Sequence, residues 1–238
     1  MNMQFFTGRG RHGETVQLPR AYMQHVKWVP RIGDIFPNFS AHSTHGPLEF
    51  HRWAEGSWVM LFSHPAAFTS VCTTEIAGFA LAQDEFAARG VRLMALSRDT
   101  TETHRRWVED IERMFEIEVP FPLIEDETGY LSSAFSMIHP NEGGHHAVRK
   151  SIIIDPALRV RMIFEYPYFV GRSTDETLRV IDALQTQDRH GVATGGDWHR
   201  GEDRLLPPHV GDARARFLYG ERWTKFCDYL RTVSVEDD

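Results

Sequence analysis

A three-layer α/β domain built on a mixed sheet is what this sequence predicts, and three observations predict it. Short apolar runs alternate with amphipathic segments between Trp58 and Phe115, a pair of apolar segments joined by a turn follows, and a last helical segment closes the series.

Taken in order, residues 1–30 read as an irregular N-terminal extension, with Gly8-Arg9-Gly10-Arg11 and no periodicity. Trp58 to Phe62 is a short apolar run suited to a buried strand. Cys72 to Arg89 carries Ile76, Phe79, Ala80 and Phe86 at helical spacing and stops at Gly90. Val91 to Ser97 reads as the next strand, and Thr100 to Phe115 as a helix with Trp107, Val108, Ile111, Met114 and Phe115 on its apolar side. Phe121 to Ile124 is a further strand beside two prolines, and Tyr130 to Phe135 a short helix. Ser151–Ile154 and Val160–Tyr166, joined by Asp155-Pro156-Ala157-Leu158, form a hairpin. Thr174 to Gln185 is a helix with Asp175 and Glu176 beside its positive end. This order is the thioredoxin-like plan, expected over residues 31–190. Beyond His190 the composition shifts to Gly, His, Asp and Pro, so residues 191–238 are expected to form a small C-terminal arm with one or two short helices.

Composition narrows the function. The chain has 238 residues, 42% hydrophobic and 25% charged, which is enough for a sizeable core. Its 33 acidic residues against 26 basic ones give a formal charge of −7, which argues against a surface that neutralises nucleic-acid phosphates. No window is apolar enough to span a bilayer, and no apolar core of signal-peptide length follows Met1 to Phe6, so a cytoplasmic protein without membrane partners is expected. Thirteen histidines, among them His42, His45, His145 and His146, show no metal-ligand motif of recognised geometry; no metal or cofactor is expected.

The two cysteines, Cys72 and Cys227, form neither a disulfide framework nor a Cys-x-x-Cys pair. In a reducing compartment such thiols point to redox or catalytic use. Cys72 stands where a strand-like segment gives way to a helix. A sulfur in the first helical turn faces unpaired N–H groups and the positive end of the dipole, which favours the thiolate. Thr69, three residues earlier, can place a hydroxyl near it, and Pro65 stiffens the loop without adding a donor. Arg149, ahead of the Ser151 strand, and Arg172, after Gly171, can bring guanidinium groups to the same end of the sheet. Such a group of residues suits displacement on an O–O bond, leaving a sulfenic acid on sulfur.

Pro65-x-x-x-Thr69-x-x-Cys72-Thr73-Thr74-Glu75, preceded by Phe62-Ser63-His64, resembles the peroxidatic signature of the peroxiredoxins, the alkyl hydroperoxide reductase/thiol-specific antioxidant family. Leu96-Ser97, Pro120-Phe121-Pro122, Tyr166-Pro167, Gly171-Arg172, Asp175-Glu176-x-Leu178-Arg179 and Asp197-Trp198 extend the likeness in register, most closely to the one-cysteine branch and its long-tailed archaeal relatives. The resemblance implies that Cys72 is the peroxidatic cysteine, that Thr69 and Pro65 shape its pocket, and that Arg149 activates the thiolate with Arg172 in support. It implies that His64, Val71 and Glu75 contact the substrate pocket. It further implies that Cys227, or an external thiol, resolves the sulfenic acid, that thioredoxin or another dithiol is the reductant, and that dimers join through the C-terminal arm into a decamer or dodecamer. Two departures stand out: Ser70 occupies a position where the family most often has proline, and residues 1–30 have no counterpart.

The resemblance also implies two other functions, because peroxiredoxin rings can hold unfolded clients and some animal one-cysteine members carry a serine hydrolase site at the positions of Ser57 and His51. An oligomeric holdase or scaffold would be indifferent to loss of the Cys72 thiol. A phospholipase would use Ser57 and His51, but Glu55-Gly56-Ser57-Trp58-Val59 lacks the two glycines of a nucleophile elbow, Gly-x-Ser-x-Gly.

Overall fold

The computed structural model describes residues 8–9, 15–16, 29–142 and 144–235. It contains two compact units that divide between Arg172 and Ser173. This division leaves the helix that begins at Thr174 with the C-terminal unit, whereas the compositional shift in the sequence comes later, after His190.

The first unit is organised by seven strands in one sheet: β3 (Ser40–Ser43), β4 (Gly46–Glu49), β5 (Trp58–Ser63), β6 (Val91–Ser97), β7 (Leu123–Glu125), β8 (Arg149–Ile154) and β9 (Val160–Tyr166). Their spatial order is β4-β3-β7-β6-β5-β8-β9. β5, β6 and β7 run parallel, while β3, β4, β8 and β9 pair antiparallel, so the sheet is mixed. Within the expected irregular extension, β1 (Gly8–Arg9) and β2 (Thr15–Val16) pair antiparallel; the rest of that expectation up to residue 28 lies outside the described residues.

Every residue of β5 is buried, as a central strand with both faces covered requires. Its alternation builds two cores. Val59 and Leu61 join a cluster in which Phe36, Phe39, Phe50 and Phe135 meet at ring separations of 4.8–5.6 Å, beneath the short helices α1 (Phe50–Ala54) and α5 (Tyr130–Ala134). On the opposite face Phe62 packs on Phe79, 4.8 Å between centroids, from α2 (Ser70–Leu81). α3 (Gln83–Ala88) and α4 (Thr101–Phe115) follow. Helices on both faces of the sheet make the three layers that the alternating pattern predicts.

Local chemistry sets the helix ends. The Thr100 hydroxyl accepts from the Thr103 N–H at the start of α4, and Glu116 closes that helix in the left-handed region at φ 55°. The expected helix over Cys72–Arg89 is two helices, parted at Ala82, and the first begins at Ser70. On α4, Trp107 and Ile111 are buried with His104, but Met114 and Phe115 are 59% and 42% exposed, a correction to the expected apolar side. The hairpin β3–β4 and α1 have no counterpart in the sequence reading. β4 is an edge strand, which is where Pro47 can be tolerated in a sheet.

The second unit holds α6 (Thr174–His190), β10 (Arg204–Leu205), α7 (Asp212–Tyr219), β11 (Trp223–Lys225) and β12 (Arg231–Val233). The Ser173 hydroxyl caps α6 by accepting from Glu176 N–H at 3.1 Å, and Gly191 ends it at φ 65°. The strands form an antiparallel sheet in the order β10-β12-β11, over a small core of Val192, Leu206, Val210, Ala215 and Val233. Beyond residue 190 the described residues hold one short helix, within the expected one or two, together with a three-stranded sheet that the sequence reading did not include. Among the described residues no helix is long and apolar enough to cross a membrane.

Candidate active site

Cys72 is the third residue of α2, after the N-cap Thr69, Ser70 and Val71, and is fully buried. Its amide belongs to the first turn, where N–H groups have no intrahelical acceptor. Ser70 is the first helical residue, where proline is favoured because its missing N–H costs nothing there and its φ is preset. Serine meets the same backbone demand without that preset. The chain reaches the cap through Phe68 at φ 56°, an uncommon conformation for a large side chain, with the ring half exposed.

A guanidinium stands against the sulfur. Arg149 Nη1 lies 3.3 Å from Cys72 Sγ and 2.7 Å from Glu75 Oε2, while Arg149 Nε donates to the Tyr168 carbonyl at 2.9 Å. Arg149 is the first residue of β8, not a loop residue ahead of it, and pairing with Tyr166 of β9 holds its backbone. Arg172 reaches the same carboxylate: its backbone N and Nε donate to Glu75 Oε1 at 2.8 and 2.9 Å, and Nη2 donates to Oε2 at 2.8 Å. Its Nη1 donates to Ser151 Oγ at 3.2 Å, and the guanidinium lies 4.9 Å from the Phe62 ring centroid. One turn of α2 separates Cys72 from Glu75, so both side chains face the same pair of arginines.

Glu75 is therefore central to the cluster. Burial pushes its carboxyl up, but the charge and hydrogen bonds of Arg172, with Arg149 adding to them, outweigh this and hold it below the usual glutamate range. Two guanidinium groups and one carboxylate leave the cluster with one excess positive charge at the sulfur.

The remaining pocket residues surround the same helix start. Thr69 Oγ1 donates to the Ala66 carbonyl at 2.9 Å and does not cap its own helix, so its oxygen keeps lone pairs for an incoming O–H. The Pro65 carbonyl accepts from His146 Nδ1 at 3.2 Å. Val71 packs close to Gly171, where a Cβ would come within 3.4 Å of its Cγ1. His64 is fully buried, 5.1 Å from the Trp107 ring and 5.7 Å from the His104 ring, with the Ala66 backbone beside its imidazole. Burial first, then His104, Arg172 and Arg149, holds its pKa well below the ordinary histidine value, so it is neutral.

Asp99 belongs to this site and was not singled out in the sequence. Its Oδ2 accepts from Ala67 N at 2.8 Å and from Ser97 Oγ at 2.6 Å, tying the loop before Cys72 to the end of β6. Ser97 Oγ also meets His104 Nε2 at 2.7 Å. Leu96-Ser97 was a motif in the sequence, but nothing in its spacing marks the carboxylate two residues on.

Cys227 belongs to the second unit, in the turn that joins β11 to β12, partly exposed between the exposed Phe226 and Tyr229. Ser57 follows Gly56 at the turn into β5, its N–H bonded to the Ala54 carbonyl. His51 places Nε2 2.8 Å from the Phe36 carbonyl oxygen, so this imidazole is engaged with the backbone. Among the described residues no group of three His, Cys, Asp or Glu side chains is placed to hold a metal ion.

Comparison with known proteins agrees with this fold. A family model described as AhpC/TSA matches residues 32–163. The mitochondrial peroxiredoxin PRX1 of Saccharomyces cerevisiae is 40% identical over 208 residues, 84% of this chain and 79% of that protein. A 1-Cys peroxiredoxin of Dictyostelium discoideum is 35% identical over 203 residues, 85% of this chain and 84% of its own length. The solved structure of a yeast mitochondrial 1-Cys peroxiredoxin superposes with a TM-score of 0.81 at 40% identity, covering 85% of this chain and 98% of that one. Peroxiredoxin 6 of Arenicola marina gives the same TM-score at 37% identity, with 85% and 97% covered. With a thioredoxin-like sheet, a buried thiol at a helix start and a family match over more than half its length, the chain belongs to the AhpC/TSA family of peroxiredoxins and is a thiol-dependent peroxidase.

Proposed function

We propose that Cys72 is the peroxidatic nucleophile and that Arg149, Arg172 and Thr69 prepare it and its substrate. The observation that carries this reading is the 3.3 Å contact of Arg149 Nη1 with Cys72 Sγ in the first turn of α2. With Glu75 ionised, the cluster of two arginines and one carboxylate is balanced when the sulfur is a thiolate. The Cys72 thiolate attacks the nearer oxygen of a hydroperoxide, the S–O bond forms as the O–O bond breaks, and the distal oxygen leaves with the electron pair. Guanidinium and N–H groups at the helix start stabilise that leaving charge, which a proton then quenches to give water or an alcohol. Thr69 Oγ1, its own proton committed to Ala66, accepts the O–H of the hydroperoxide and orients it. Pro65 supplies a carbonyl to His146 and no N–H to the pocket.

The product on Cys72 is a sulfenic acid, which a second thiol converts to a disulfide. The chain offers Cys227 for that step, carried on a turn with exposed aromatic neighbours, in competition with an external thiol. Because Cys72 is fully buried, its sulfur reaches either partner only when the first turn of α2 opens, a local event of the kind low-stability segments allow. A dithiol such as thioredoxin closes the cycle in a cytoplasmic setting, and the C-terminal unit acts as the arm through which dimers form and close into a ring.

The test is peroxide consumption with thioredoxin as electron source, comparing the wild type with Cys72→Ser and Cys227→Ser. Turnover must vanish in Cys72→Ser while the fold persists. A Cys227-dependent disulfide on non-reducing gels after a peroxide pulse supports the resolving role, and its absence assigns resolution to the external thiol.

A further inference from the structure

A chain of hydrogen bonds runs from a buried histidine of α4 to the loop ahead of Cys72. The Ala67 N–H donates to Asp99 Oδ2 at 2.8 Å, Ser97 Oγ meets the same oxygen at 2.6 Å, and His104 Nε2 lies 2.7 Å from Ser97 Oγ. A carboxylate only accepts, so the single hydroxyl proton of Ser97 goes to Asp99. His104 must then donate from Nε2, which makes Nδ1 the bare nitrogen. That nitrogen is buried and has no hydrogen-bond partner among the described residues.

A proton can therefore be added to His104 only at Nδ1, where the closed site offers no acceptor. A buried charged group without a partner is disfavoured, and burial lowers this histidine from 6.5 to about 4. The titratable and charged groups that face the ring are Asp99, with Oδ2 3.9 Å from Nε2, Glu125 of β7, and His64 after β5, 5.7 Å between ring centroids. Both carboxylates favour the imidazolium, and burial outweighs them. The contact with α2 is uncharged. Trp107 Nε1, one turn along α4, donates to Thr73 Oγ1 at 3.1 Å, and that hydroxyl donates to the Thr69 carbonyl at 2.8 Å. This second tether holds no group that titrates near neutrality, so the first is the acid-sensitive one.

We propose that His104 is a positioning residue that latches the loop ahead of Cys72 through Ser97 and Asp99, and that a proton taken up on its Nδ1 releases the latch. An imidazolium that turns its new N–H toward an acceptor gives up Ser97, and Asp99 then loses the arrangement that holds the Ala67 N–H. Phe68, kept at φ 56° by the closed loop, is freed to return to a common backbone conformation. The inference deepens the reading above, in which the sulfur leaves its pocket only when the first turn of α2 opens; the amide measured below reports the latch whether or not Cys72 is the nucleophile.

The test is hydrogen exchange of the Ala67 amide in the reduced full-length protein, expressed as protection relative to the unfolded chain so that the intrinsic pH dependence cancels. Between pH 7.5 and pH 5 the protection should fall about tenfold, the limit being about thirtyfold for values of about 4 in the closed loop and 6.5 in the open one. His104→Gln keeps an amide donor for Ser97 and cannot take up a proton. Its protection should match the wild type within about threefold at pH 7.5 and exceed it about tenfold at pH 5. His64 is present in both proteins, so its share cancels in that ratio. An equal fall in the two proteins, or no fall in the wild type, would overturn the latch. A second measurement needs no variant: nitrogen-15 shifts of the His104 ring at pH 7.5 should show a protonated Nε2 and a bare Nδ1, and the opposite tautomer would equally overturn it.

Discussion

Arg172 grips Glu75 with three N–H groups, one from its backbone and two from its guanidinium, and thereby fixes the carboxylate that also receives Arg149. Both side chains are almost wholly out of solvent, 2% exposed each, so neither charge can be compensated by water. The orientation of Arg149 toward the sulfur is thus shared with the carboxylate it grips.

Removing that charge should cost more than removing a surface ion pair. Glu75→Gln preserves the shape but leaves two buried guanidinium groups sharing a neutral amide. A loss of about 3–5 kcal/mol in unfolding free energy is expected, the usual result of breaking a buried pair. Urea denaturation measures it, and a loss below about 1 kcal/mol, the range of exposed pairs, would show that the cluster is solvated in solution.

Arg149 should matter to the chemical step. Arg149→Met removes the donor nearest Sγ, and stopped-flow oxidation of Cys72 by hydrogen peroxide should slow by about a hundredfold to a thousandfold, as for loss of one preorganised donor. Arg149→Lys keeps a charge but cannot serve Sγ, Glu75 and Tyr168 together from one planar fork, so it should recover only part of the rate. A lysine variant as fast as the wild type would reduce the arginine to a simple point charge.

The loop ahead of Cys72 depends on Asp99. Asp99→Ala strips the acceptor from Ala67 N–H, a residue only 8% exposed, and from Ser97 Oγ. A destabilisation of about 1–3 kcal/mol follows from leaving a buried donor unpaired. Hydrogen exchange should quicken at Ala67 and in the first turn of α2; unchanged exchange there would mean that the loop is held by other contacts.

Stability should fall on mild acidification. Burial lowers His104 from 6.5 to about 4, against smaller opposing effects of Asp99 and Glu125. Between those values the unfolded chain binds a proton that the folded chain refuses. The stabilisation is therefore complete above about pH 6.5 and drains away as the pH falls toward 4. His64, also depressed by burial, acts in the same direction, and Glu75 extends the loss at lower pH. His104→Gln retains a partner for Ser97 and should flatten the slope of urea midpoint against pH between 6.5 and 4.5. An unchanged slope would place the acid sensitivity elsewhere.

Much of this protein can be read along the chain because its signals are local. The all-apolar run of β5, the helical spacing after Cys72 and the turn residues of the β8–β9 hairpin are local signals, and Thr69 and Cys72 share the first turn of one helix. Hence the layered fold, the candidate nucleophile and its arginines were all visible. What needed the folded chain were relations between distant segments: Glu75 meeting Arg172 across 97 positions, Asp99 holding Ala67, and His146 reaching Pro65 across 81. A carboxylate on a helix surface and one buried between two guanidinium groups look alike in sequence, since only packing decides which charges lose their water. The same holds for the C-terminal unit, whose two- and three-residue strands are too short to carry a period and become a sheet only by pairing with one another.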